Sequence, residues 1–505
     1  MTINTVTKAE DNQKSDYATI LKSSSIIGGS QVINMAIGLL RTKAVAVLIG
    51  PSGVGLVGTL QSVLTIASTV AGLGIQTSGV RDVAIHFGKD DLRQITRTVI
   101  TLRRICWATG IFGFISLWLM APWISQWTFQ SQERVSTIRW LALTILLGNL
   151  AGGQAAIIQG TRRIGDLARI SVIGGIASTA VSIGFYVWLG IDGIAPALLA
   201  LSFVSLTAST YFSRKIQLAP AQITWLESFR QAIDLTGLGL TLVWSGLLVA
   251  IVSYLTRLML IETLNLSSVG IYTAAFTLSG LLVNFVLRAM GADYYPRLTA
   301  ASNDHNAVNR MVNQQTEIGL LLALPGLLAT LTFAPLAIRL LYTAEFLPAA
   351  ALLQWFALGC LGRVISWPMG FILLACSKSK TFAVTETATN MAHLAMIWLG
   401  LQTLQLIGVS IAYAASYLFH TILMLIATAF VTGFRWDRSN KLLVLASVGA
   451  AGTTLTLNQI LPPPMGLLTG SIGSLVALYF CLNRLGSRLG SEHRLTKLIC
   501  KFGST

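Results

Sequence analysis

The 505-residue chain is 54% hydrophobic and only 11% charged, with a net charge of +16. Soluble domains carry about 25% charged residues, so a string of soluble domains is excluded. Apolar runs of some twenty residues recur from end to end, which makes the chain an all-α polytopic membrane protein.

Residues 1–22 are polar and mixed in charge, lack the short apolar core of a signal peptide, and read as a cytoplasmic tail. Fourteen spans follow, at roughly 24–49, 55–79, 105–122, 137–158, 170–190, 194–212, 235–257, 268–288, 318–337, 349–375, 382–402, 407–431, 442–461 and 465–482. With the amino terminus inside, 28 of the 35 lysines and arginines fall in cytoplasmic segments. Only Arg134, Arg139 and Arg339 lie outside, and Arg41, Lys43, Arg257 and Arg363 remain within spans. That is the bias of a protein with both termini cytoplasmic, and it removes the argument for a nucleic-acid partner. The five cysteines (Cys106, Cys360, Cys376, Cys481, Cys500) show neither metal-ligand spacing nor paired external positions, so neither zinc nor disulfides are expected.

The chain also repeats itself. SGVGL at 52–56 returns as SSVGI at 267–271, an offset of 215, and IIQGTR at 157–162 is echoed by ILLACSK at 372–378. Six spans separate the copies, an even number, so the two halves have parallel topology. The expected plan is an N-lobe of spans one to six (23–215), a cytoplasmic linker (216–234), a C-lobe of spans seven to twelve (235–433), and a last segment (434–505). That segment holds two further spans, which look like an appendage, and a basic cytoplasmic tail. Paired lobes of this kind place a substrate site between them near the midplane. Polar amphipathic loops are expected around 81–97 and 293–316, at the exits of the second and eighth spans.

The embedded cations sharpen this plan. Arg41 lies nine residues before the GPSG turn at 50–53, or roughly 14 Å along a helix and near the middle of a ~30 Å hydrocarbon layer. Shifted by 215, Arg41 and Lys43 bracket Arg257, so the first helix of each lobe carries a cation at similar depth. Each would cost roughly 2.5–3.5 kcal/mol if exposed to lipid, so the four should face a wet, positive cavity whose guest is an anion. Lys43 could instead reach the outer surface with its long stem. Glu386 and His393, seven residues apart on one span, form a second candidate pair for ion coupling, against the plainer reading of an interfacial glutamate and a packing histidine. Forty-five glycines, including Gly148 and Gly152, mostly permit close helix packing.

No phosphate loop, zinc-protease helix or nucleophile elbow is present, and no cofactor is expected. The longest external loop has about fourteen residues, around 123–136, too small a platform for a polymerase or ligase acting on lipid-linked sugars. The chain is therefore expected not to be an enzyme.

Three stretches carry a family resemblance: LLRTKAVAVLIGPSGVG at 39–55, VGIYTAA at 269–275 and GFILLACSKSKTF at 370–382. Over about residues 20–430 the chain resembles the Wzx-type polysaccharide-unit (O-antigen) flippases of the multidrug/oligosaccharidyl-lipid/polysaccharide (MOP) exporter superfamily. The resemblance implies two six-helix lobes that rock about a central cationic cavity. It implies as substrate an undecaprenyl-diphosphate-linked oligosaccharide, moved from the inner to the outer leaflet of the bacterial cytoplasmic membrane. A polysaccharide polymerase or chain-length regulator is implied as protein partner, and membrane lipids surround the whole. Arg363 falls where relatives carry a lysine and Glu386 matches a glutamate, while Cys360 stands where an aspartate can occur. Fourteen spans rather than twelve is a departure shared with the lipid II flippases. Arg41, Lys43, Arg257 and Arg363 would then bind the diphosphate. A drug/cation antiporter of the same fold is the alternative; it would want a carboxylate where this chain has Arg41 and Lys43.

Overall fold

The computed structural model describes residues 3–87, 89, 91–220, 223–236 and 240–489. Fourteen α-helices and two short 3-10 turns account for its regular structure, and there is no strand among the described residues. The helices are α1 (Ile3–Gly72), α2 (Ile75–Phe87), α3 (Leu92–Phe129), α4 (Val135–Gly160), α5 (Ile164–Leu189), α6 (Ile194–Ser213) and α7 (Trp225–Thr236). They continue with α8 (Leu240–Thr263), α9 (Leu266–Ala300), α10 (His305–Leu341), α11 (Ala349–Ala375), α12 (Ser379–Thr432), α13 (Arg438–Ile460) and α14 (Pro463–Leu489).

Eleven helical runs are long and apolar enough to cross a membrane. Three of the eleven each correspond to two of the expected spans; the turn at Leu73 and Gly74 interrupts the second expected span (55–79), and residues 237–239 of the seventh (235–257) lie outside the described residues. Gly29–Gly72 breaks at Gly50, whose φ of 61° and ψ of −171° belong to a region essentially reserved for glycine. Pro51, with its fixed φ and missing N–H, then starts the next helical stretch without strain. Ile164–Ser213 is divided by the 3-10 turn Gly190–Gly193. Ser379–Thr432 breaks at Gln405, and its halves fold back closely: a Cβ on Gly400 would lie 2.6 Å from the Gly408 carbonyl oxygen. Large apolar side chains on the outer faces, among them Phe203, Phe430 and Leu475, are exposed as the bilayer requires.

The chain divides into two compact units, one formed by residues up to Gly50 with Thr59–Ile251, the other by Pro51–Gly58 with Val252 onward. In the first, α4 is the hub, packing on α3, α6 and α2 around Ile95, Val99, Leu102, Leu150 and Ile157. In the second, α11 is the hub, packing on α12, α10 and α9. Its core includes Tyr294, Val308, Met369, Leu373 and Phe434. The two copies of the repeated motif meet inside this second unit. A Cβ on Gly270 would fall 1.9 Å from the Pro51 carbonyl oxygen, and one on Gly55 would fall 2.2 Å from that of Leu266.

Four expectations change. The polar stretches around 81–97 and 293–316 are largely helix: α2 runs to Phe87 and α3 restarts at Leu92, and α9 runs to Ala300 before α10 restarts at His305. Asp91 and Asp304 cap the restarts by accepting backbone N–H bonds, so polar composition here marks helix ends rather than loops. The seventh span shifts, since α8 ends at Thr263 rather than 257, which sets Arg257 well inside it. The 216–234 linker contains most of α7, capped by the Thr224–Glu227 box and docked on α3 through Arg104, which stacks 4.6 Å over the Trp225 ring. Finally, α13 and α14 are built into the second unit rather than appended. The Gly470 backbone lies against Thr332, and Asn458 donates to the Leu331 carbonyl at 3.0 Å. The end of the basic tail, 490–505, lies outside the described residues, as does Asp90.

Candidate functional site

Arg257 extends from α8 into the second unit and is 8% exposed. Its Nη1 donates to the Ser253 carbonyl at 2.8 Å and to the Ser253 hydroxyl. The guanidinium sits 5.5 Å from the centroid of the Tyr272 ring, in cation–π range. Among the described residues its Nε has no hydrogen-bond partner, and neither does the neighbouring buried Thr273 hydroxyl. Both border Gly58, where a Cβ would stand 2.8 Å from Thr273 Oγ1 and 3.4 Å from Arg257 Nε.

Tyr272 begins an aromatic ladder. Its ring contacts Phe276 at 5.7 Å and Phe356 at 5.8 Å, and both of those rings contact Tyr413, at 5.7 and 5.3 Å. Tyr413 touches Tyr417 at 5.0 Å, and Tyr417 touches His420 at 6.0 Å. Arg363, half-buried on α11, faces the phenols of Tyr413 and Tyr417. Gly359 and Gly362 make room for this arrangement, because a Cβ at either would meet Tyr413 or Tyr417 within 3.0 Å. At the far end His420 Nδ1 lies 3.0 Å from Ser366 Oγ, and Nε2 lies 3.7 Å from a Glu386 carboxylate oxygen.

Four of the six residues singled out in the sequence thus join one ladder: Arg257, Arg363, Glu386 and, through a 5.8 Å contact with Tyr413, His393. The histidine beside Glu386 is His420, and His393 packs on an aromatic ring instead. Among the described residues neither Arg257 nor Arg363 forms an ion pair. Arg41 and Lys43 belong to the first unit. Arg41 is exposed on α1 and donates to the Ser178 hydroxyl of α5, while Lys43 is half-buried. The sequence reading did not select Tyr413, Tyr417 and His420, although their spacing of four and three residues places them on one helix face.

The first unit contains a cleft of about 540 Å³ among α1, α2, α4, α6 and α8, within the usual ~300–1,000 Å³ of ligand sites. Half of its sixteen lining residues carry a hydroxyl or amide, and none is charged. Asn149, 4% exposed, has an unpartnered Nδ2 there, an arrangement that costs roughly 1–3 kcal/mol when nothing accepts from it.

The helical architecture, with its long apolar runs, defines a polytopic membrane protein. It aligns with a multidrug resistance MATE family transporter of the MOP superfamily in an inward-facing conformation, at a TM-score of 0.65 and 16% identity over 83% of this chain and 98% of that one. It aligns with the lipid II flippase MurJ, inward closed, at a TM-score of 0.62 and 14% identity over 92% and 99%. The chain belongs to the polysaccharide biosynthesis protein family, whose profile matches residues 44–351, more than half its length. The lipid III flippase of Escherichia coli (strain K12) is 22% identical over 414 residues, covering 79% of this chain and 96% of that protein.

Proposed function

We propose that the protein is a flippase. It moves an undecaprenyl-diphosphate-linked oligosaccharide from the cytoplasmic to the outer leaflet of the bacterial cytoplasmic membrane by alternating access, with no bond made or broken. The observation that carries this reading is the pair of membrane-embedded guanidiniums, Arg257 and Arg363, which form no ion pair among the described residues. A guanidinium fork grips phosphate oxygens in a bidentate way, and the unpartnered Arg257 Nε and Thr273 hydroxyl offer further polar atoms beside it. Arg41 and Lys43 add phosphate-binding charge from the first unit. A cation exporter would want carboxylates at these positions. Membership in a polysaccharide biosynthesis family and kinship with a lipid III flippase fit a lipid-linked sugar as cargo.

On this reading the prenyl tail stays in lipid, both termini are cytoplasmic, and a polymerase or chain-length regulator takes up the delivered units. Moving about two negative charges outward down a 100 mV inside-negative potential releases ~4–5 kcal/mol, enough to bias transport without a coupled ion. Glu386, set against His420, is the group that would add proton coupling, with His393 on the same ladder through Tyr413. The test is flipping of a fluorescent undecaprenyl-diphosphate oligosaccharide in proteoliposomes, with and without an imposed voltage or pH gradient. Accelerated leaflet exchange is expected, and any pH-gradient dependence should vanish in Glu386→Gln. Exchange no faster than in empty vesicles would remove the reading.

A further inference from the structure

From the uncharged cleft of the first unit we infer a subsite for the carbohydrate part of the cargo, built to hold neutral sugar hydroxyls rather than phosphate, lipid or cation. The proposal rests on the flippase reading for the origin of its ligand, while the chemistry of the site stands on its own lining. Among the described residues, no Lys or Arg lines the cleft to take phosphate, and no Asp or Glu lines it to take a cationic drug. An acyl chain would bury eight hydroxyl- and amide-bearing residues against hydrocarbon, which is unfavourable for each polar group left unpaired.

What the cleft offers is the complement of a sugar ring. The hydroxyls of Thr144 and Ser202 donate to carbonyls of their own helices, Leu141 and Leu198, which leaves their oxygen lone pairs free as acceptors. The amides of Gln61, Gln76 and Asn149 supply donors and carbonyl oxygens, and the buried Asn149 Nδ2 has no partner among the described residues. Sugar hydroxyls are donors and acceptors at once, so a mixed lining of this kind can satisfy them. The backbone keeps the space open in two ways. After α1 the chain turns through Leu73 and Gly74, both at positive φ. On α4, a Cβ at Gly148 would meet nothing within 4 Å, whereas one at Gly152 would strike the Gln76 amide at 2.2 Å. Gly152 therefore serves packing, and Gly148 serves the cleft.

The test uses full-length protein in nanodiscs, with maltotriose and tri-N-acetylchitotriose as neutral probes followed by saturation-transfer NMR. At least one trisaccharide should bind saturably. The series Gly148→Ala, Gly148→Val, Gly148→Leu should weaken binding progressively, by tenfold or more at leucine, because the side chain grows from a Cβ position that is open and borders the cleft. Asn149→Leu should weaken it by at least threefold. Monodispersity and an unchanged unfolding midpoint of Gly148→Leu establish that the fold survives. Absence of binding by both trisaccharides, or undiminished binding in a folded Gly148→Leu, overturns the subsite. Trisaccharide binding that follows the Gly148 series in a protein unable to flip a lipid-linked oligosaccharide would overturn the flippase reading and leave the subsite standing. Flipping with no effect of the series on binding would do the reverse.

Discussion

Arg363 shows what a single residue reveals before and after folding is known. Its type and central position within a span mark it in the sequence, since a cation there is costly and has little room to snorkel. Its surroundings are not legible there, because they come from α12, some fifty residues on: Tyr413 and Tyr417, seated where Gly359 and Gly362 leave space. The same limit explains His393. It shares a span with Glu386, but proximity along one helix does not settle which imidazole the carboxylate meets, and α12 returns after Gln405 to bring His420 there. Tyr413 and Tyr417 face Arg363 without neutralising it, and on the proposed reading its charge is what meets the phosphate. Arg363→Ala is expected to leave a folded, inserted protein whose affinity for undecaprenyl diphosphate falls about ten- to a hundredfold. That is the loss of a hydrogen bond to a charged group, roughly 1.5–3 kcal/mol. Arg363→Lys keeps the charge and loses only the fork, so it should retain intermediate binding. Titration of each variant in nanodiscs checks both, and full affinity in the alanine variant would exclude Arg363 as a phosphate ligand.

At the scale of elements, apolar runs and turn residues carried most of the fold. Gly50 followed by Pro51 marks a helix break in any context, and the structure breaks there. The polar connections were harder to read, because polar composition suits a loop and an interfacial helix alike, and only the caps distinguish them. Before α7 the sequence does contain the signature, Thr224 with Glu227 three residues on, which forms a reciprocal box. Thr224 N–H donates to the Glu227 carboxylate at 2.8 Å, and Glu227 N–H donates to the Thr224 hydroxyl at 3.3 Å. The Thr224 bonds hold the Glu227 carboxyl below its ordinary range. With the folded pKa depressed, the stabilising effect is fully present above the unfolded value of ~4.3 and is lost as pH falls through the folded value. Protection factors of the α7 amides, exchange rates divided into the intrinsic rate at each pH, should therefore be high at neutral pH and fall in acid. Glu227→Ala should show low protection at neutral pH and little further loss below it. An unchanged α7 exchange rate in the alanine variant would show that docking through Arg104 and Trp225, rather than the box, holds the helix.

For the whole molecule, charge placement along the sequence sets an expected membrane topology, but it gives no hint that some of those charges have structural work as well. Arg484 and Arg488 read as part of a basic cytoplasmic tail. In the structure both reach Glu317 of α10: Arg484 Nε lies 2.8 Å from one carboxylate oxygen and Arg488 Nη2 lies 3.2 Å from the other. Arg484 also donates to Ser439 of α13 at 2.5 Å, so one carboxylate ties the last two helices to the second unit. Glu317 has a side chain only 11% exposed, whereas Arg488 is 62% exposed. Screening at the surface makes the Arg488 bond the weaker one, worth under ~1 kcal/mol. The Arg484 bond, more deeply placed, should be worth about 1.5–3 kcal/mol. Glu317→Ala is accordingly expected to destabilise the protein by about 2 kcal/mol, and Arg488→Ala by less than half of that. The pair term is isolated by a double-mutant cycle. If Glu317 and Arg484 act on each other, Glu317→Ala and Arg484→Ala together should destabilise by clearly less than the sum of the two singles. Strict additivity in unfolding measurements on detergent-solubilised protein would show that α13 and α14 are held by their apolar faces alone. The Gly470 approach to Thr332 would then be the contact to perturb next.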